Sequence, residues 1–121
     1  MATTILLASS ALLLGACGFG ENGISVSEED PNYRGAQLFA ATCAGCHTLD
    51  AAGAAGTGNR GQRVQGPNLN DRPETYQSAL YAIQNGGYSG AIMPQNIVVG
   101  EEARQVARFV AKYAGSNASK K

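Results

Sequence analysis

Two thiols and an imidazole stand within five residues of one another in Cys43-Ala44-Gly45-Cys46-His47. Such a group has three chemical uses. A dithiol that cycles with its disulfide belongs in a βαβ setting, and no strand pattern precedes Cys43. A closed zinc site needs four ligands. His47 is the only histidine, and the third cysteine, Cys17, lies far upstream, so Cys and His cannot assemble that set. The third use fits the spacing: C-x-x-C-H is the attachment pattern of c-type haem. Thiols three residues apart on one helical turn reach the two vinyl groups of one porphyrin, and the adjacent imidazole turns toward the iron. Ala44 and Gly45 are small enough to let the ring lie close to the backbone.

An iron held by one imidazole needs a sixth ligand or stays open. Apart from Met1, the chain has one methionine, Met93, in the run Gly90-Ala91-Ile92-Met93-Pro94. A lone methionine often fills a core. This one stands in a Gly-containing loop, and Pro94 forces its backbone to be extended. That setting suits a thioether held out to a metal, as in His/Met haem iron. With both axial positions filled no substrate reaches the iron, so the expectation is an electron-transfer protein without a small-molecule substrate, not an enzyme. If Met93 were labile, the iron could instead bind a small ligand or react with peroxide.

Three helices are expected to position these groups. Asp30-Pro31 reads as an N-cap followed by the first helical residue. Ala36, Phe39, Ala40 and Cys43 then fall on one helical face that ends at the motif. A second helix is expected from Pro73 to Asn85, with Tyr76, Ala79, Leu80 and Ile83 inward and Gly86-Gly87 as its stop. A third covers about Gly100 to Ala114. Glu101 and Glu102 suit its positive end. Ala103, Val106, Phe109, Val110 and Tyr113 form its inner stripe, and Arg104, Arg108 and Lys112 its wet side. Ala51 to Gln65 is Gly/Ala-rich and aperiodic, which reads as a long surface loop.

These pieces together resemble the class I c-type cytochromes over about residues 32–114. The resemblance rests on Gly35 and Phe39 before the C-x-x-C-H run, Gly66-Pro67-Asn68-Leu69 after it, Ile92-Met93-Pro94, and a last helix carrying Phe109 and Tyr113. It implies a small all-α cytochrome c fold, with about three main helices wrapped around one covalently attached haem c and long loops between. It also implies that Pro67 offers its carbonyl to the His47 Nδ1–H, fixing the tautomer; a plain turn-forming role for Pro67 is the other reading. Asn59, Arg60 and Arg63 read either as partners of the haem propionates or as solvated loop residues, and Tyr76 and Tyr88 either as further propionate partners or as ordinary half-buried aromatics. The implied partners are redox proteins, donors and acceptors, met briefly through small interfaces.

Charge and the N-terminus bound the rest. Lys+Arg is 9 and Asp+Glu is 9, which leaves no basic footprint for nucleic acid. Residues 1–20 carry no ionisable side chain other than cysteine thiol, and residues 21–50 set Arg34 against five carboxylates. Ile5 to Leu14 is too short to span a membrane and fits the apolar part of an export signal. Leu14-Gly15-Ala16-Cys17 resembles the lipobox of bacterial lipoproteins, which would make Cys17 an acylated anchor at the outer face of the cell membrane; an exported, free protein is the other reading. The expected layout is a signal peptide over 1–16, a flexible spacer over 17–30, a cytochrome c domain over 31–115 and a disordered tail over 116–121. A free shuttle in a respiratory or related chain and a haem subunit of a larger membrane oxidoreductase both fit this sequence.

Overall fold

The computed structural model describes residues 23–56, 66–88 and 92–118. Three helices dominate: α1 Tyr33–Thr42, α2 Tyr76–Asn85 and α3 Gly100–Tyr113. A two-residue antiparallel pair, β1 Thr48–Leu49 with β2 Ala54–Ala55, closes over a 3₁₀ turn at Asp50–Ala52. The all-α reading holds, and the sheet is a clip rather than a layer.

α3 packs on both α1 and α2 and carries the most segregated apolar face. Its Ala103, Val106, Ala107, Phe109 and Val110 are buried, as are Ala36, Leu38, Phe39 and Ala40 of α1. At the α1–α3 crossing the Phe39 and Phe109 rings meet edge to face, with centroids 5.7 Å apart. The crossing is close because Gly35 brings no side chain: a Cβ there would stand 2.4 Å from the Gln105 carbonyl oxygen and 2.7 Å from Phe109 Cβ.

Three boundaries differ from the sequence reading. Asp30 does not cap α1, which starts at Tyr33 behind Asn32. The Asp30 Oδ1 instead accepts the Asn32 N–H at 2.7 Å, and its carbonyl accepts the Tyr33 N–H at 2.9 Å, so Asp30-Pro31 builds the turn leading into the helix. α2 begins at Tyr76, not Pro73, because Thr75 and Ser78 form a reciprocal capping box. The stretch read as a surface loop from Ala51 to Gln65 is folded where described: Ala52, Gly53 and Ala54 are buried. Residues 57–65 lie outside the described part.

Both flanks also touch the domain. Val26 is buried and Ile24 packs against the core, with the Ser25 N–H bonded to the Ala51 carbonyl at 3.2 Å. The Tyr113 hydroxyl donates to Asp30 Oδ2 at 2.6 Å, joining the end of α3 to the approach to α1. Past α3, the Gly115 N–H donates to the Leu69 carbonyl at 2.7 Å and the Asn117 N–H to the Asn70 carbonyl at 2.8 Å. Asn70 is the buried polar residue on this side. Its Oδ1 accepts the Asp50 N–H, and its Nδ2 donates to Asp50 Oδ1.

Candidate functional site

α1 delivers the first thiol directly. Cys43 is its C-cap residue, with its N–H on the Phe39 carbonyl at 2.8 Å. The chain then makes one more turn, in which the Cys46 and His47 N–H groups donate to the Cys43 carbonyl at 3.1 and 2.9 Å. Both thiols are free; Cys43 is buried and Cys46 half-buried. Burial pushes the Cys43 thiol pKa up, against a smaller downward pull from the Thr42 hydroxyl 3.4 Å away. A catalytic dithiol needs a depressed pKa, so this environment opposes the disulfide-exchange reading. Among the described residues no group of three His, Cys, Asp or Glu side chains could hold a metal ion.

His47 is oriented by the segment that runs beside it. The Gly66 N–H donates to the Cys46 carbonyl at 2.8 Å and the Leu69 N–H to the Thr48 carbonyl at 2.9 Å. Clipped on both sides, Gly66-Pro67-Asn68 lays the Pro67 carbonyl 3.1 Å from His47 Nδ1. A carbonyl only accepts, so Nδ1 carries a proton, and in the neutral ring Nε2 is then the nitrogen with the lone pair. That is the tautomer a metal-ligating imidazole needs. The Phe39 ring stands on another side, centroids 6.4 Å apart.

Met93 is half-buried and packs against the core cluster that also contains Cys43 and Phe39. Its run folds back over the end of α2: the Asn96 N–H donates to the Ile83 carbonyl at 2.8 Å, and Gly86, the αL residue that ends α2, lies under the Met93 carbonyl. Among the described residues the exposed large apolar side chains are Tyr81, Tyr88, Ile92, Ile97 and Val99, with Tyr81 on α2 and the others on the segment that follows it. Tyr88 stacks on Tyr81 at 5.3 Å and donates its hydroxyl to the Ser78 carbonyl. Tyr76 is half-buried against the core. Cys17, Asn59, Arg60 and Arg63 lie outside the described residues.

The structure thus brings Cys43, Cys46, His47 and Pro67 together at one turn. Two free thiols, an imidazole with a free Nε2 and a backbone acceptor behind it fit a covalently attached, iron-bearing porphyrin. Two features were not read from the sequence. One is the seat Gly66 makes for the imidazole, hinted at only by a glycine before Pro67. The other is the pairing of the basic row on α3: Glu101 bonds both Arg104 and Arg108, while Glu102 reaches Arg34 on α1. No helix among the described residues is long and apolar enough to cross a membrane.

The sequence pattern of the cytochrome c family matches residues 33–114. Among solved structures, the c-type cytochrome SorU from Sinorhizobium meliloti superposes with a TM-score of 0.56 at 34% identity, covering 73% of this chain and 95% of that one. A search of curated proteins finds no match. On the breadth of the family match and on the geometry around His47, the chain belongs to the cytochrome c family, whose cofactor is covalently bound haem c.

Proposed function

We propose that this protein is a monohaem c-type cytochrome that carries single electrons outside the cytoplasm, with Cys43 and Cys46 as the haem thioethers and His47 and Met93 as axial ligands. The observation that supports this best is the His47–Pro67 contact, which makes Nε2 the lone-pair nitrogen of the neutral ring, one residue after the paired thiols. Bound there, haem c supplies an iron that takes up and gives back one electron. The protein's own residues do the rest. Cys43 and Cys46 fix the ring to the end of α1, His47 binds with Nδ1–H held by Pro67, and Met93 supplies a sulfur that raises the potential relative to two nitrogen ligands. With His47 and Met93 both holding the iron, no open place for a substrate would remain on it.

Partner contact is assigned to the exposed apolar side chains of α2 and the segment after it, Tyr81, Tyr88, Ile92, Ile97 and Val99. A small, apolar contact of this kind suits brief encounters with redox proteins. The chain has no net charge, and Glu101 pairs with two of the three cations in the α3 basic row, so long-range steering is weak. Residues 1–16 act as the export signal, and acylated Cys17 holds the domain at the membrane through a linker that ends where Ile24 packs on the core. The test is to purify the chain from an exporting host that matures c-type cytochromes. The mass should show one added haem and a cut before Cys17 with acylation, and the reduced protein should pass one electron to a stoichiometric acceptor. A mass without haem, or uptake of two electrons per chain, contradicts the proposal.

A further inference from the structure

Gly66 lies against the His47 imidazole. A Cβ built there would stand 2.4, 2.6 and 2.8 Å from ring atoms Cε1, Nδ1 and Nε2. Near-equal distances to three consecutive ring atoms put that position over the ring face, not beyond its edge. Carbon atoms in optimal contact sit about 3.5–4.0 Å apart, so the overlap exceeds what small side-chain adjustments absorb. Relief must come from one partner moving. Gly66 is held, because its own N–H is bonded to Cys46 and the segment is tied again at Leu69–Thr48. The ring could turn away, but turning carries Nδ1 off the Pro67 carbonyl 3.1 Å away. Pro67 therefore holds one edge of the ring while Gly66 bounds its face, and the two together select one ring plane.

We infer that Gly66 is a positioning residue for the iron ligand: the absence of a side chain at position 66 sets the plane of the His47 imidazole and, through it, the ligand field at the metal. The inference rests on the reading of His47 as an axial ligand. The same methyl would matter little to a histidine free to rotate, since a ring at the end of a side chain swings aside cheaply. It matters when Pro67 at Nδ1 and a metal at Nε2 pin both nitrogens.

The test is Gly66→Ala in the haem-loaded protein, read by electron paramagnetic resonance of the ferric state. The g values of a low-spin ferric centre follow the orientation of its planar axial ligand. The expected result is a shift of the largest g value away from the parent's with haem content unchanged. Ile83→Val, a core change in α2, lowers the melting temperature and leaves the g values where they were. A Gly66→Ala protein with parental g values and only a lowered melting temperature overturns the inference. If that variant yields no haem protein, the parent decides. In its diamagnetic reduced state a strong nuclear Overhauser effect between a Gly66 α-proton and the His47 ring proton on Cε1 supports the seat, and its absence overturns it. A parent whose spectra lack an imidazole ligand sinks the axial reading itself and the inference with it, a result distinct from an unmoved variant of a His-ligated parent.

Discussion

The α1–α3 crossing is the sharpest place to perturb the scaffold, and Gly35→Ala is the change to make. The added methyl would begin 2.4 Å from the Gln105 carbonyl oxygen, where ordinary contact starts at 3.4 Å, so the helices must part by about an ångström. Neither opposing atom is a flexible side-chain end. One is backbone and the other is Phe109 Cβ. A gap of that size forfeits about a quarter to a half of the dispersion well for each contact across the seam. The seam includes Phe39 and Phe109, whose rings meet across it and are both buried. Overpacking costs about 1–3 kcal/mol, and a clash with backbone belongs at the upper end. Alanine returns about 0.5–1 kcal/mol through helix propensity. The net loss is about 2 kcal/mol, which for a domain of this size lowers Tm by roughly 8–16 °C. Thermal unfolding followed by far-UV circular dichroism measures it. A Tm equal to or above the parent's would mean that propensity wins and that the close crossing carries no energetic weight.

Three further outcomes follow from other contacts. The Tyr113 hydroxyl lowers the Asp30 pKa, with the Asn32 N–H helping, and Asp30 in turn raises that of Tyr113. A depressed carboxyl stabilises the fold above its unfolded pKa and loses that contribution as pH falls through the folded one, so Tyr113→Phe should melt lower than the parent at pH 6, with the gap closing toward pH 3; a gap independent of pH contradicts the pairing. Asn70→Ala leaves the Asp50 N–H without its acceptor and should cost about 1–3 kcal/mol in urea unfolding, whereas an unchanged midpoint would show that water takes over the bond. Cys43→Ala with Cys46→Ala removes the attachment points from a thin three-helix core and should give a largely unfolded product; native-like near-UV dichroism in the haem-free chain would count against it.

Much of the site was legible because its chemistry is contiguous. Cys43, Cys46 and His47 sit on one turn, so spacing alone carries the geometry, and the Pro67 contact follows once the family resemblance is recognised. α3 was legible to within a residue because its apolar stripe runs over four turns and Glu101-Glu102 mark its start. What escaped the sequence depends on small residues and distant partners. Ala52 and Ala54 are buried, yet alanines in a Gly/Ala-rich run show no periodicity to read. The start of α2 is hidden in the sequence because its capping box uses Ser78 where Glu or Gln is the familiar partner. The packing of Ile24 and Val26, read as spacer, depends on a backbone bond from Ser25 to Ala51, which no local pattern announces. Glu101 drawing in both Arg104 and Arg108 is another such case, since four-residue spacing alone reads as a free basic row.

The central claim is an iron clamped between the His47 imidazole and the Met93 thioether, and the ferric absorption spectrum of Met93→Ala set beside the parent's tests it most directly. The parent should be low-spin with the weak band near the red end of the spectrum that marks sulfur on ferric iron, and the variant should lose that band and turn high-spin while keeping its covalent haem. A variant spectrum identical to the parent's would show that Met93 is not the sixth ligand.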